Sequence, residues 1–474
     1  MSSELIGETA TRLVSRLRRG EVSPHDLLDT LEARIKEVDG VVNALPTLCL
    51  DRARERADAL LRLPPERRGT LAGLPVPIKD LSNVAGVRST QGSPIFANFV
   101  PERSDIVVEM IEAQGGIVYA KSNTPEFGAG ANTFNEVFGA TKNPHDVTRS
   151  AAGSSGGAAA ALASGMAWLA HGSDMGGSLR NPASFCGVVG MRPSVGRCAS
   201  EAKTKIDQNL GVQGPMARTV EDLALFLDAM SGFHPRAPLS LPREAQSFVS
   251  LARSGWRPKR IAYSADLGIT PVEPEVAALT REAAFRLAEE GIIVEEAHPD
   301  FTQAHECFQV LRAQSFAVSY GGYLTKHGEL LKPEVIWNVE KGLKLTCAEI
   351  AEAEHQRVML FQRTARFFEN YDLLLTPATI CAAFPVGERY LAECAGHHFE
   401  TYIDWLAIAY AITLVFCPAL SLPCGFTKSG LPVGLQICAP ARQEGHVLAA
   451  AKLLEDKLGL DTARPIDPRL PKAA

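Results

Sequence analysis

The feature that most constrains the fold is an alternation of short apolar runs with helical patterns along residues 73–240. Residues 74–78 and 116–120 are apolar runs of strand length, whereas residues 106–113 carry apolar side chains at helical spacing. Thr219, three residues ahead of Asp222, is a capping pattern that predicts the start of a further helix. Strands and helices that alternate along a chain are typical of an α/β domain, in which helices cover a sheet. Strand-like runs return at 371–460. The sequence therefore predicts an α/β fold.

Two segments depart from this alternation and are mostly helical. Residues 1–65 contain helix-start signals such as Ser23, an N-cap residue ahead of a proline. Residues 302–370 have the pattern of long helices that bear aromatic side chains. We interpret the whole chain, 1–474, as one domain. Within it, residues 1–65 form an N-terminal helical part, 73–235 the core and 302–370 a helical insertion.

The charge balance argues against polyanionic partners. The chain has 474 residues, a net charge of −6 and a pI near 6.0, so it lacks the basic excess that nucleic-acid and anionic-membrane binding require. Its first 20 residues contain no apolar stretch of signal-peptide length, and no run approaches the roughly 18 apolar residues of a membrane span. We expect a cytoplasmic protein with no nucleic-acid partner and no membrane partner.

Cysteine usage suggests neither a metal site nor a redox motif. No two of the ten cysteines stand in a C-x-x-C arrangement, so we expect buried, reduced thiols. No His/Cys/Asp cluster has the spacing of metal ligands. We therefore expect no metal and no other cofactor. The cysteines are Cys49, Cys186, Cys198, Cys307, Cys347, Cys381, Cys394, Cys417, Cys424 and Cys438.

The densest chemical signal lies in residues 150–194, where two clusters of glycine and serine follow one another. The first cluster, residues 153–157, reads GSSGG and stands ahead of an alanine-rich helix pattern. It matches G-x-S-x-G formally, but a nucleophile elbow requires a preceding strand, and residues 145–152 are polar without a strand pattern. A phosphate cradle would lack its lysine after the second glycine. A flexible turn explains the glycines but not the paired serines.

The second cluster, residues 172–178, ends in a Gly-Gly-Ser run. Small residues let several backbone N–H groups point into one space, which is how an oxyanion hole is built. A serine hydroxyl is a weak nucleophile and needs a base. His171 is the only histidine near the cluster, and a lone histidine is more often structural than catalytic. The pattern favours Ser178 as a nucleophile. The candidate oxyanion-hole donors are the backbone N–H groups of Met175, Gly176, Gly177 and Ser178.

Further motifs give the chain a specific resemblance to a known family. Residues 73–80, 185–190, 214–222, 418–423 and 430–436 read GLPVPIKD, FCGVVG, GPMARTVED, PALSLP and GLPVGLQ. Together with the two glycine–serine clusters, they resemble the motifs of the amidase signature family over nearly the whole chain. Several long motifs in the correct order are a much stronger signal than a lone glycine pattern.

The resemblance implies both a fold and an activity. The fold is a large mixed β-sheet core flanked by helices, with the helical insertion near the substrate pocket. The activity is hydrolysis of a carboxylic amide by a Ser–Ser–Lys triad. Lys79 corresponds to the lysine base, Ser154 to the serine that follows a cis peptide bond, and Ser178 to the nucleophile. Burial disfavours an ammonium group, so a buried lysine can act as a base near neutral pH.

Residues around the triad are assigned supporting roles. Ser155 either joins the proton relay or caps the following helix. Asp174 and Arg180 flank the nucleophile, and they either orient it or form a structural ion pair. Phe127 and Gly128 match a stretch that borders the substrate site in the family, so we expect them to contact substrate.

Two enzymatic functions stay open. The first is a stand-alone amidase, a monomer or homodimer that acts on a small-molecule amide, carbamate or ester. The second is the glutaminase subunit of a tRNA-dependent amidotransferase, which would need partner subunits. Asn181 and residues 206–210 depart from the amidotransferase pattern, so we favour the first. A binding protein on a dead hydrolase scaffold is disfavoured because Lys79, Ser154 and Ser178 are intact.

Aromatic side chains indicate the character of the pocket. They are concentrated in residues 308–337 and 399–416, and ligand pockets are commonly lined by such groups. We expect an apolar acyl pocket that accepts an aryl or extended chain, whereas glutamine would need charged partners. The alternative is that these aromatics fill the core. They are Phe308, Phe316, Tyr320, Tyr323, Trp337, Phe399, Tyr402, Trp405, Tyr410 and Phe416.

Overall fold

Helices and strands alternate along most of the chain in a computed structural model of the protein, which describes residues 2–461 and 463–470. The helices are α1 Ser2–Ile6, α2 Ala10–Arg19, α3 Pro24–Val42, α4 Leu50–Leu61, α5 Ile106–Ala113, α6 Gly156–Ala163, α7 Arg180–Cys186, α8 Val220–Met230, α9 Phe248–Ala252, α10 Pro274–Phe285, α11 Ala304–His327, α12 Pro333–Leu343, α13 Cys347–Phe367, α14 Ala407–Leu414 and α15 Glu444–Leu458. The strands are β1 Thr47–Leu48, β2 Pro75–Lys79, β3 Ile117–Ser122, β4 Phe134–Asn135, β5 Gly139–Ala140, β6 Lys142–Asn143, β7 Asp146–Ser150, β8 Leu169–Asp174, β9 Val189–Arg192, β10 Val212–Ala217, β11 Arg260–Tyr263, β12 Ile293–Glu296, β13 Leu373–Pro377, β14 Glu393–Cys394, β15 His397–His398, β16 Ala419–Phe426 and β17 Pro432–Cys438.

The largest sheet has eight strands in the order β12-β11-β13-β17-β16-β9-β10-β8. β11 pairs in parallel with β12 and with β13, whereas the other neighbours run antiparallel. Helices that include α7, α8, α10 and α15 pack against this sheet. The predicted fold, a large mixed β-sheet flanked by helices, is confirmed.

A smaller sheet carries the strand on which Lys79 lies. β2 pairs in parallel with β3, and β3 pairs antiparallel with β1. β2 also lies beside β8 of the large sheet. The backbone N–H of Lys79 donates to Nδ1 of His171 on β8 over 3.3 Å, and every residue of β2 is buried. The lysine therefore lies where the two sheets meet.

Local capping signals begin the helices as predicted. The Ser23 hydroxyl accepts a hydrogen bond from the Asp26 N–H and forms a capping box at the start of α3. Thr219 caps α8 by accepting from the N–H of Asp222. These bonds satisfy backbone donors that a helix leaves free at its first turn, so each helix starts at the predicted position.

Three helices, α11, α12 and α13, lie within residues 302–370; α11 packs against the other two and against α14, and α13 also contacts α14. A second hydrophobic core forms there, separate from the core around the large sheet. Phe308 of α11 stacks on Tyr410 of α14, with ring centroids 4.2 Å apart. Further along α11, the side chains of Arg312, Phe316 and Tyr320 line a cavity that is described below.

Some local expectations differ from the structure. Residues 146–150 form the strand β7, paired with β6, although their polar sequence shows no strand pattern. The strand is partly exposed, so its polar side chains face solvent and mask the alternation.

Eight of the ten cysteines are buried, but Cys347 is exposed and Cys49 is partly buried. Within the described residues, no helix has the length and apolar character needed to cross a membrane.

The close packing of α6 against β3 generates a prediction about stability. An added Cβ at Gly157 would lie 2.4 Å from the backbone nitrogen of Asn123 and 2.7 Å from the carbonyl oxygen of Ala44. We expect Gly157→Ala to lower the free energy of unfolding by about 1–3 kcal/mol or more, because backbone atoms cannot move aside cheaply. Urea unfolding of the purified variant measures this change.

The matched control is Gly40→Ala, in the exposed part of α3, where an added Cβ meets nothing within 4 Å. This variant should gain up to about 1 kcal/mol, since alanine is the better helix former. Equal stability of the two variants would contradict the packing described for Gly157.

Candidate active site

The side-chain amine of Lys79 lies among serine oxygens. Its Nζ is 2.7 Å from Ser154 Oγ, 2.8 Å from Ser155 Oγ and 3.0 Å from Ser173 Oγ. The carbonyl oxygen of Ser173 is a fourth neighbour at 3.3 Å. A neutral amine has two N–H bonds and one lone pair, so it can donate to two of these oxygens and accept a proton from a hydroxyl.

The environment of Lys79 favours the neutral amine. The residue is fully buried, and this burial lowers the pKa of Lys79 to about 7, although the negative charge of Asp174 acts in the opposite direction. No carboxylate among the described residues forms an ion pair with Nζ. A substantial fraction of Lys79 is therefore unprotonated near neutral pH, as a general base requires.

The first serine cluster forms a tight turn between β7 and α6. The peptide bond between Gly153 and Ser154 is cis. Thr133 fixes the turn from outside, because its hydroxyl donates to the Ala152 carbonyl over 2.8 Å and accepts from the Gly156 N–H over 3.2 Å. Ser155 makes no side-chain cap at the start of α6. Its hydroxyl instead accepts from Lys79, so the relay alternative fits this residue better than capping.

The second cluster turns between β8 and α7, and Asp174 holds its shape. The carboxylate accepts from the Gly177 N–H over 3.0 Å and from the Leu179 N–H over 3.1 Å. Gly177 has φ +106°, and an added Cβ there would lie 2.4 Å from Asn181 Oδ1. Only glycine fits that position, so the turn that carries Ser178 depends on both residues.

Two arginines neutralise Asp174. Arg180 donates to both carboxylate oxygens, over 2.9 and 3.1 Å, and Arg192 lies 3.4 Å from Oδ1. Burial alone would raise the pKa of Asp174, but the charges of Arg180 and Arg192 outweigh it and hold this pKa well below its usual range. Arg180 also donates to Gln436 Oε1 and to the carbonyl of Ala409. Asp174 and Arg180 are fully buried. Each guanidinium nitrogen of Arg180 donates to a protein acceptor, so Arg180 supports the turn and has no nitrogen left over for a substrate.

The predicted oxyanion-hole donors divide into two groups. The Gly177 N–H is already bonded to Asp174, so it is not available to a developing oxyanion, and the prediction for this residue is corrected. Within the described chain, the N–H groups of Met175, Gly176 and Ser178 donate to no protein acceptor. Those three groups remain as candidate donors.

A cavity of about 250 Å³ opens beside these residues. Ser154, Ser178, Phe127 and Gly128 all line it. Over the described residues, Ser178 Oγ makes no hydrogen bond with Ser154 Oγ or with any other protein atom. Lys79 and Ser154 are thus in hydrogen-bond contact, whereas the predicted hydrogen bond between Ser154 Oγ and Ser178 Oγ is not formed.

The cavity wall is more polar than the aromatic content suggested. Phe316 and Tyr320 line it, and Phe127 stacks on Tyr320 with ring centroids 4.4 Å apart. The aromatics of residues 399–416 are absent from the described wall. Phe399, Tyr402, Trp405 and Tyr410 pack into the second core, and Phe416 packs against Phe361 instead. Together with several serines, charged and amide side chains make up about two-thirds of the wall's side chains, and they include Asp105, Asp174, Glu201, Lys203, Lys205, Gln208, Gln213 and Arg312. The expectation of a mainly apolar pocket is therefore wrong.

Sequence reasoning missed Ser173 and the part that His171 has in holding the lysine strand. His171 Nδ1 accepts the Lys79 N–H, and its Nε2 lies 2.9 Å from Gln213 Oε1. Burial lowers the pKa of His171 to about 3, so the ring is neutral and carries its proton on Nε2. The only local signal was their position. His171 and Ser173 are alternate residues of β8, which lies ahead of Ser178 in the chain, and alternate side chains of a strand point to the same side.

Comparisons with known proteins identify the family of this chain. Residues 26–448 match the family model described as Amidase. The chain belongs to the amidase family. It is 34% identical to a glutamyl-tRNA(Gln) amidotransferase subunit of Moorella thermoacetica, over 98% of this chain and 99% of that protein. It is 33% identical to an acylamidase of Rhodococcus erythropolis, over 94% of each chain.

Solved structures extend the same result. A bacterial aryl acylamidase of the amidase signature family superimposes with a TM-score of 0.89 and 26% identity, over 97% of this chain and 99% of that one. Membership in the amidase family places the chain among amide-hydrolysing enzymes that act on small molecules. Within the described residues, no group of three His, Cys, Asp or Glu side chains is arranged to hold a metal ion.

The lysine environment generates a prediction about pH. We expect kcat/KM for an amide substrate to rise with pH through an apparent pKa near 7 and to level off above it, because only unprotonated Lys79 can accept a proton. Lys79→Ala should lower kcat by roughly 10⁴-fold or more. Initial rates across the pH range, with circular dichroism as a control for folding, test both statements. A flat profile, or near-normal activity of Lys79→Ala, would contradict the assignment.

Proposed function

We propose that the chain is a stand-alone amidase that hydrolyses a small-molecule carboxylic amide through an acyl-Ser178 intermediate. The observation that carries this proposal is the buried contact of Lys79 Nζ with Ser154 Oγ at 2.7 Å, beside a cavity that Ser178 also lines. A base, a bridging hydroxyl and an accessible hydroxyl are the groups that such a reaction needs.

In the acylation step, neutral Lys79 accepts the proton of Ser154 while Ser154 accepts the proton of Ser178. Rotation of the Ser178 side chain closes the relay, since catalytic hydrogen bonds are often open without substrate. Ser178 Oγ bonds to the amide carbon, and the carbonyl oxygen becomes an oxyanion near the N–H groups of Met175, Gly176 and Ser178. The C–N bond then breaks, and the leaving nitrogen takes a proton from Ser154, which regains one from Lys79.

In the deacylation step, the same groups act on water. The relay through Ser154 to Lys79 removes a proton from a water molecule that attacks the acyl ester. The ester bond to Ser178 breaks, Ser178 regains its proton, and the carboxylic acid leaves. Lys79 carries the extra proton only while the tetrahedral intermediate exists, and return of that proton along the same hydroxyls restores the neutral amine at the end of each step.

The second candidate is the glutaminase subunit of a tRNA-dependent amidotransferase. Its support is the full-length likeness to the Moorella thermoacetica protein at 34% identity. The first candidate has about the same support by sequence, since the acylamidase of Rhodococcus erythropolis is 33% identical. The likeness of the fold to the aryl acylamidase, with a TM-score of 0.89, also supports the first candidate. We favour the stand-alone amidase because the cavity presents aromatic rings and, among the residues that the structure describes, no unpaired carboxylate for a substrate ammonium.

The role of Ser178 is tested by trapping the intermediate. We expect wild-type protein incubated with a slow anilide or p-nitrophenyl ester to gain the mass of one acyl group, because acyl-Ser178 accumulates when deacylation is slow. Ser178→Ala should gain none. Ser173→Ala is the matched control, since its hydroxyl contacts Lys79 but is not the attacking group, and it should still form the adduct more slowly. Intact-mass spectrometry reads the result, and an adduct on Ser178→Ala would disprove the assignment.

The choice between the two candidates is tested with the purified chain alone. Turnover of acetanilide, longer anilides and glutamine is measured by release of aniline or ammonia. We expect at least one anilide to exceed glutamine in kcat/KM by about tenfold or more, because each buried methylene or ring adds roughly 1 kcal/mol or more of binding. Preference for glutamine, or activity that appears only with partner subunits, would instead support the amidotransferase candidate.

A further inference from the structure

The cavity wall contains one cation whose charge the described protein does not balance. Arg312, on α11, is 7% exposed and lines the cavity. No carboxylate lies within 4.0 Å of its guanidinium anywhere in residues 2–461 or 463–470. Its neighbours are the hydroxyl of Tyr402, which accepts from Nη2 over 2.8 Å, and the thioether of Met175, 3.5 Å from Nη1. The ring of Phe316 lies 4.2 Å from the guanidinium carbon.

Every other charged side chain in the cavity wall has a partner of opposite sign. Asp105 pairs with Lys203 at 2.7 Å, and Glu201 pairs with Arg236 at 3.0 Å. Lys205 lies 3.7 Å from Asp207, and Asp174 is bound by Arg180 as described. Removing a charge from water is costly unless it is paired. The unpaired cation therefore marks the place where a ligand anion would restore the balance.

The position of Arg312 also indicates which part of a substrate would carry the anion. Arg312 touches Met175, which opens the turn that ends at Ser178. An anionic group bound to Arg312 thus lies close to the reacting carbonyl, within the cavity of about 250 Å³. A carboxylate at the far end of a short acyl chain would occupy this position.

We propose that Arg312 binds a carboxylate of the substrate, so that the preferred amides are those of short dicarboxylic acids amidated at one end. This inference rests on the proposed amidase function and specifies its substrate class. A guanidinium matches a carboxylate in shape and can donate two parallel hydrogen bonds to it. An α-ammonium group, as in glutamine, has no unpaired carboxylate in the described wall to bind it, and the positive charge of Arg312 opposes it.

The experiment compares charged and neutral anilides of matched length. Succinanilate, glutaranilate and adipanilate are each measured against the neutral anilide of the same carbon chain, and γ-glutamyl anilide is measured against glutaranilate. We expect the best carboxylate substrate to exceed its neutral counterpart in kcat/KM by about 10- to 100-fold, the usual contribution of a charged hydrogen-bonded pair. γ-Glutamyl anilide should fall below glutaranilate.

Arg312→Met should bring the ratio of kcat/KM between each carboxylate substrate and its neutral counterpart close to one, whereas Arg312→Lys should restore part of that ratio. Lys341→Met, which removes a cation of the neighbouring helix α12 that is not part of this wall, is the matched control and should keep the preference. A wild type that does not prefer carboxylates, or an Arg312→Met variant that loses both substrate types equally, would overturn the proposal in favour of a purely structural arginine.

A binding measurement separates failure of this inference from failure of the proposed function. Glutaranilate is titrated calorimetrically into Ser178→Ala, where binding is scored without turnover, and into the same variant carrying Arg312→Met. Weaker binding by about tenfold or more in the second protein supports the carboxylate site even if the wild type hydrolyses no anilide. Equal binding in both proteins, or none to Ser178→Ala, overturns the inference even if neutral anilides are hydrolysed.

Discussion

The structure depends on removing the Lys79 amine from water without giving it a counter-ion. A buried ammonium is costly, and here the fold places Nζ among the hydroxyls of Ser154, Ser155 and Ser173, which stabilise either protonation state only moderately. The lysine ends a wholly buried strand at the junction of two sheets. Its position, its pKa and its access to Ser154 are consequences of that single placement.

A nearby carboxylate, Asp174, could have undone this arrangement. A free carboxylate near Lys79 would hold the ammonium in its charged form, but two arginines, Arg180 and Arg192, already balance the charge of Asp174. The same carboxylate accepts the N–H groups of Gly177 and Leu179. Asp174 therefore shapes the turn that presents Ser178, while the arginines keep its charge from acting strongly on the base.

What the sequence could predict follows from the range over which each signal acts. Helix starts at Ser23 and Thr219 are local, and the structure has them where they were predicted. The strand β7 was missed, because a partly exposed two-stranded pair has little apolar alternation to detect. The role of Ser173 was missed for a different reason: its contact with Lys79 joins residues 94 positions apart, and no spacing rule covers such a pair.

The pocket was the least predictable part, and the reason lies in helix α11. Phe308, Arg312 and Phe316 are spaced four residues apart along it, yet Phe308 packs into the second core while the other two face the cavity. Because a helix has 3.6 residues per turn, side chains four residues apart turn progressively round the helix axis. A row of aromatics at this spacing therefore passes from the core to the cavity with no change in the sequence pattern. Composition could indicate aromatic rings near the site, but only the helix rotation decides which of them a substrate meets.

That division has a consequence for specificity. The strands and turns that hold Lys79, Ser154 and Ser178 belong to the part of the fold shared over nearly the full length of both the acylamidase and the amidotransferase protein that the chain resembles. In the proposed mechanism they set which bond is broken but not in which molecule. The choice of substrate therefore falls to the wall contributed by α11 and by the loop near Lys203. There, in our proposal, Arg312, which pairs with no carboxylate of the described residues, selects by charge while the aromatic rings around it select by shape.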